Sequence, residues 1–209
     1  MAKAKTKATN GRRESESITF RVDFVVSLSQ YEGDPSDFIT VCHGDIICLM
    51  DDDSEQEIGT VVVYMIERSR VPNEGMSLFE VMDCLDGDSC DCFANLFDQE
   101  SEQLKPEVER LLSENRAFQH DMMLIERLEL KPDYRGRGLG NEIASRVIQK
   151  FGQNCSVITC VPVPLQFTGL GPRDKEPTGK RSAQQRVRKF WEGVGFLRLA
   201  GSDYYIWPN

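Results

Sequence analysis

The sequence predicts a single α/β domain, and three observations carry that expectation. Apolar and polar residues alternate from Ile18 to Leu28, and a β-rich run spans Ile58 to Ile66; such patterns mark strands. Leu139, Ile143, Val147 and Phe151 step by four, the spacing of an amphipathic helix. Strand patterns come first, then two helical patterns, then strand, helix, strand, helix and a final pair of strands, an interleaving that builds α/β layers.

Each element has its own signal. Residues 1–16 contain no apolar stretch and are expected to be a disordered basic leader, so that the domain covers 17–209. Ile18, Phe20, Val22, Phe24, Val26 and Leu28 give the first strand one apolar face. Gly33-Asp34-Pro35 marks a turn. Val41 to Met50 reads as a second strand, interrupted at His43-Gly44-Asp45, and Asp51-Asp52-Asp53-Ser54 as a hairpin tip without the ligand spacing of a Ca2+ loop. Ile58 to Ile66, with Val61, Val62 and Val63, reads as a central strand.

Leu78, Val81, Met82, Leu85, Phe93, Leu96 and Phe97 recur at helical spacing, with a break expected at Gly87. Leu104, Val108, Leu111 and Leu112 predict a further helix. Met122 to Leu130 reads as a strand with Leu124, Leu128 and Leu130 on one face, and Ser156 to Val161 as another. Residues 162–182 are rich in Pro and Gly and predict a long loop, a feature often tied to function. Ala183, Val187, Phe190, Trp191 and Val194 form the last helix, closed by Gly195, and Phe196–Leu199 with Tyr204–Trp207 a terminal hairpin.

Charge narrows the partners. The chain carries 25 Lys+Arg and 34 Asp+Glu residues, a net charge of −9. Residues 1–16 hold Lys3, Lys5, Lys7, Arg12 and Arg13 against Glu14 and Glu16, a local +3 that leaves −12 on the remainder. So acidic a body disfavours nucleic acid and anionic membrane and favours cationic partners. Two readings of the leader stand, a nucleic-acid arm or, more simply, a disordered extension. No run approaches the ~20 apolar residues of a membrane helix, and the start has no apolar stretch of the secretory kind. Cys42, Cys48, Cys84, Cys90, Cys92, Cys155 and Cys160 are odd in number and fit reduced thiols. The expectation is a cytoplasmic protein. Neither paired CxxC knuckles nor helical His spacing is present, and only His43 and His120 stand near in chemistry to the Cys84, Cys90, Cys92 cluster, so no metal site is expected.

The informative stretch is Leu128-Glu129-Leu130-Lys131-Pro132-Asp133-Tyr134-Arg135-Gly136-Arg137-Gly138-Leu139-Gly140. It joins a strand to a helix through a glycine-rich turn. The first N–H groups of a helix lack partners, and the macrodipole puts partial positive charge there, so the junction suits an anion. Glycines let the backbone close on a phosphate, and Arg135 and Arg137 add charge. The P-loop pattern is absent, and Gly136-x-Gly138-x-Gly140 is not the Rossmann spacing.

The stretch does resemble the acyl-CoA signature of the GNAT superfamily of N-acetyltransferases. That signature, Arg/Gln-x-x-Gly-x-Gly/Ala after a strand ending in hydrophobic-x-Pro, is matched by Leu130-Lys131-Pro132 and by Arg135, Gly138 and Gly140. A second motif of that family, aromatic–aromatic–Glu–x–x–Gly–Phe, is matched by Phe190-Trp191-Glu192-Gly193-Val194-Gly195-Phe196. The resemblance spans Ile18 to Trp207 and is strong from Met122 onward. It implies a mixed, mostly antiparallel sheet flanked by helices and splayed at the acyl-CoA site. It also implies acetyl-CoA as co-substrate, its pyrophosphate on Arg135, Gly136, Arg137, Gly138, Leu139 and Gly140, and its pantetheine along Leu128 and Leu130. The acetyl group would pass by direct attack to a primary amine of unknown acceptor. Dimers are common in the family, so a homodimer is an open expectation.

Amine attack on a thioester needs a base, an oxyanion donor and a proton for the leaving thiolate. Glu126 is the candidate base, or else a surface residue partnering Arg127; Glu129 is expected on the opposite face. A strand N–H near Leu128 to Leu130 is the candidate oxyanion donor. Many members of the family supply the proton from a Tyr at the second aromatic of the helix motif. Here Trp191 stands there, and an indole does not serve in that way. Either Tyr204 or Tyr205 substitutes, unless both are simply packing residues, or the thiolate leaves unassisted. The alternative reading is a non-catalytic CoA-binding or regulatory module on the same fold. Some of Arg173, Lys175, Lys180, Arg181, Arg186, Arg188 and Lys189 would meet the 3′-phosphate of CoA or an acidic group of the substrate, or else they form a solvated face.

Overall fold

The computed structural model describes residues 18–27, 33–112, 120–167 and 178–208. The expected leader and residues 168–177 of the expected loop lie outside them. Seven strands form one sheet: β1 (Thr19–Ser27), β2 (Ile39–Leu49), β3 (Glu55–Ile66), β4 (Asp121–Leu130), β5 (Cys155–Cys160), β6 (Leu197–Arg198) and β7 (Tyr205–Ile206). Their spatial order is β1-β2-β3-β4-β5-β7-β6. Neighbours are antiparallel except β4 and β5, which are parallel. A parallel pair needs a crossover, which α4 (Leu139–Phe151) supplies. The class is the expected one, a mixed and mostly antiparallel sheet flanked by helices.

Period-two patterning lets the sheet build a core on each face. Met123 and Ile125 share one with Ile46, Val61 and Ile158, under Ile143 and Val147 of α4 and Trp191 of α5 (Lys180–Val194). Met122 and Leu124 share the other with Ile66 and Val157, under Val81 of α1 (Leu78–Asp83), Phe93 of α2 (Gly87–Leu96) and Val108 of α3 (Pro106–Glu109). Among the described residues, this second layer covers one end of the sheet, and His43 and Asp45 are exposed on the rest of that face. Cys42, Cys48, Cys92, Cys155 and Cys160 are buried and form no disulfides, as small core residues would be.

Two local expectations change, and a third gains its physical cause. β2 runs through His43-Gly44-Asp45 without interruption. A Cβ on Gly44 would lie 2.7 Å from Val61 Cγ1 and 2.8 Å from Phe24 Cε1, so the glycine answers crowding in the core and breaks nothing. The helical run from Leu78 to Phe97 does break, through the capping of α2: the Asp86 carboxylate accepts from Ser89 N at 2.8 Å, and Ser89 Oγ accepts from Asp86 N at 3.2 Å. The helix expected around Leu104 to Leu112 shrinks to four residues. Leu104 is instead drawn into a bridge with Phe97, so its apolar side chain packs without a helix.

Among the described residues, no helix is long and apolar enough to cross a membrane, and no group of three or more His, Cys, Asp or Glu side chains is placed to hold a metal.

The β3–β4 contact is tight at Gly59, where an added Cβ would sit 2.1 Å from the Glu129 carbonyl oxygen. Backbone cannot yield as a side chain does. Gly59→Ala is expected to lower stability by about 1–3 kcal/mol, read from the urea midpoint at constant slope.

Candidate functional site

β4 sets the site through two irregularities. It pairs with β3 along its length, but the register shifts between Val62 and Val63: Val62 faces Arg127 and Val63 faces Ile125, leaving Glu126 as the extra residue of a β-bulge. It pairs with β5 only from Asp121 to Ile125. Beyond Ile125 the two strands part, and among the described residues no strand pairs with the β5-facing edge of Glu126–Leu130, where the Leu130 carbonyl accepts from Arg135 Nε.

The bulge resets the alternation of side chains. Leu128 and Leu130 join the core face that Ile125 occupied, while Leu124 lies on the other. The expectation of Leu124, Leu128 and Leu130 on one face is therefore corrected. So is the opposition of Glu126 and Glu129: Glu129 pairs with Thr60, and Thr60 borders the same cavity as Glu126. Glu126 and Arg127 lean the same way and pair at 3.6 Å.

The gap between the strands is a cavity of about 580 Å³. Its floor is Leu128, Leu130 and Val161, and its far wall is Val187, Phe190 and Trp191 of α5. Trp191 is 5 % exposed and packs edge-on against Phe190 and Phe196. The glycine-rich turn closes one end with Arg135, Gly136, Gly138 and Gly140. Gly136 and Gly138 have φ of +74° and +83°, the left-handed region that glycine enters freely. Gly140 admits α5: a Cβ there would lie 2.9 Å from Phe190 Cε2. Among the described residues, the amides of Gly136 through Gly140 find no acceptor, while those of Asn141 and Glu142 donate to the Gly138 carbonyl. The turn thus offers a run of free donors at the N-terminus of a thirteen-residue helix. Arg127, Arg135, Arg186 and Lys189 make the lining basic.

A second cavity, of about 410 Å³, lies on the sheet face that the helices leave open. His43, Asp45, Thr60, Val62 and Tyr64 border it, and Glu126 and Arg127 are common to both cavities. Burial raises the Glu126 carboxyl above its usual range; the Arg127 guanidinium opposes that, and Asp86 and Asp88 reinforce it. Tyr64 donates to Asp86 Oδ2 at 3.2 Å, and burial pushes its phenol up as well.

Of the residues expected to hold a cofactor, Leu128, Leu130, Arg135, Gly136, Gly138 and Gly140 are brought to one cavity together with Glu126. The side chains of Arg137 and Leu139 are not, which leaves their amides in the turn: Arg137 lies over the Tyr134 ring at 5.6 Å, and Leu139 is buried in the core. Arg135 turns back on its own strand, donating from Nε to the Leu130 carbonyl at 2.6 Å. Neither expected hydroxyl lines the cleft. Tyr204 points under α2, with its hydroxyl 3.1 Å from Asp91 Oδ2 and 3.2 Å from the Asp88 carbonyl, and burial raises its phenol. Tyr205 points to the other face, with its hydroxyl 3.4 Å from Glu192 Oε1. Adjacent strand residues face opposite ways, so β7 cannot aim both at one centre, and both rings are core. Asn141, Gln166, Tyr64 and the bulge itself were not anticipated. The helical phase of Asn141 could have shown it; nothing local signals the other three.

No family model and no curated protein matches the chain. Among solved structures, it is similar to a chain of the KacTA–DNA complex, with 9% identity and a TM-score of 0.41 over 80% of this chain and 67% of that one. It is also similar to SsHAT, with 15% identity and a TM-score of 0.35 over 78% of this chain and 69% of that one. Likenesses so distant say nothing of activity.

Holding Ala in the left-handed region costs about 1–2 kcal/mol. Gly138→Ala is expected to lose about that much stability, measured by denaturant titration, because φ there is +83°.

Proposed function

We propose that the protein is an acyl-CoA-dependent N-acyltransferase of the GNAT type, moving an acetyl group from acetyl-CoA to a primary amine. One observation carries this reading. The cavity between β4 and α5 combines free turn amides, an unpaired strand edge and an apolar wall, and so fits each part of the co-substrate. The pyrophosphate suits the amides of Gly136 to Gly140, backed by Arg135 and the end of α4. The pantetheine amides suit the open edge of Glu126–Leu130, as an added strand would. Arg186 and Lys189 suit further phosphate.

The acceptor enters from the smaller cavity. Its ammonium must lose a proton before attack, and Glu126, a carboxylate that lines both cavities, would take it. The Glu126 amide, at the bulge, or that of Leu128 would face the developing oxyanion. A second reading, CoA binding without transfer, draws on the absence of any tyrosine, among the described residues, from the lining of the larger cavity.

Titration calorimetry with acetyl-CoA tests the co-substrate. Binding is expected, and Arg135→Ala should weaken it roughly tenfold by loosening the turn and removing a charge. No heat from wild-type protein would overturn the proposal. Thiol release across a panel of amines separates transfer from mere binding.

The pH profile follows from Glu126. Its carboxyl is raised, so the active carboxylate fills only at higher pH than an ordinary glutamate, and kcat/KM should climb through that displaced value as pH rises. Glu126→Gln should abolish that limb and leave the one due to the acceptor's own ammonium.

A further inference from the structure

The leaving thiolate needs a proton, and the structure restricts its source. Among the described residues, every tyrosine hydroxyl is engaged: Tyr64 with Asp86, Tyr134 with Gln56 at 2.7 Å, Tyr204 with Asp91 and Tyr205 with Glu192. None of them lines the larger cavity, and no cysteine does either. Trp191, on its wall, does not donate as an acid. The guanidinium groups of Arg127, Arg135 and Arg186 do not release protons in proteins.

Glu126 differs from all of these but Arg127 in position. It borders both cavities, a position it shares only with Arg127 among the residues that line them. As the extra residue of the bulge it also stands where the ladder between β3 and β4 is loosened. The groups that face it are Arg127 on its own strand, Tyr64 on β3, and Asp86 and Asp88 at the start of α2. Glu129 and Lys189 share its larger cavity.

Resting on the reading above, we infer that Glu126 is both the base and the acid of the transfer, carrying one proton from the acceptor nitrogen to the sulfur of CoA. The nitrogen lone pair forms a bond to the thioester carbon, and the Glu126 carboxylate takes the proton that the nitrogen sheds. The C–S bond then breaks with its electron pair going to sulfur. The Glu126 carboxyl returns the proton there, leaving amide, free thiol and the carboxylate as it began. A raised carboxyl suits both halves, since it accepts more readily and still donates to a thiolate.

The test compares acetyl-CoA with acetyl-seleno-CoA, using hydroxylamine as the acceptor because it is already neutral at physiological pH. A selenolate leaves without help. In Glu126→Gln, the ratio of selenoester to thioester rate should exceed the wild-type ratio by tenfold or more, within the range general acids supply. Glu126→Asp, which keeps a carboxyl, should restore a ratio nearer the wild-type one. Calorimetry with acetyl-CoA establishes that each variant is folded and loaded. Equal ratios in wild type and Glu126→Gln would overturn the inference. So would a ratio that rises in Tyr64→Phe or Lys189→Met and not in Glu126→Gln. If wild-type protein binds no acetyl-CoA, the functional reading itself fails, and this inference with it; binding with equal ratios overturns the inference alone.

Discussion

Everything at the site depends on β4 being unable to pair on both sides along its whole length. Its β3 edge is used from end to end, but its β5 edge is used only as far as Ile125. Buried backbone groups need partners, and five residues of strand edge are left facing a cavity. The bulge at Glu126 sits at the point of parting. It bends the strand, returns Leu128 and Leu130 to the core face and lets an acidic side chain stand at the junction. Without the bulge, Arg127 and Glu129 would point into the apolar core and the leucines away from it.

The same break organises charge. The chain is acidic overall, yet the larger cavity gathers Arg127, Arg135, Arg186 and Lys189 with free amides at the end of a helix. The smaller cavity is bordered by Asp45 and Glu126 and feels Asp86 and Asp88 through Glu126 and Tyr64. Charges in solvent act over about one screening length, ~10 Å, so each cavity answers to its own lining and not to the net charge. On the proposed reading, one side would take the anionic donor and the other the amine acceptor. Glu126 and Arg127 lie on the border.

Much of the fold was legible because it is periodic. The alternation in β1, the step of four in α4 and the glycine closing α5 at φ +112° each express a single local rule. The glycine-rich turn was legible because its glycines and arginines are contiguous. What escaped was set by geometry between distant segments. Gly44 reads as a breaker until Val61 and Phe24 are seen to crowd it. The bulge leaves Met122 to Leu130 looking like one regular strand, and only register with β3 exposes the slip. Tyr204 and Tyr205 are adjacent to the right motif in sequence, but strand alternation and burial send their hydroxyls elsewhere.

A crystal structure with acetyl-CoA bound tests the account most directly. It should show pyrophosphate oxygens on the amides of Gly136 to Gly140, pantetheine amides on the open edge of β4 and the thioester beside the Glu126 carboxyl. Acetyl-CoA bound away from the gap between β4 and β5, or with its thioester out of reach of Glu126, would contradict it.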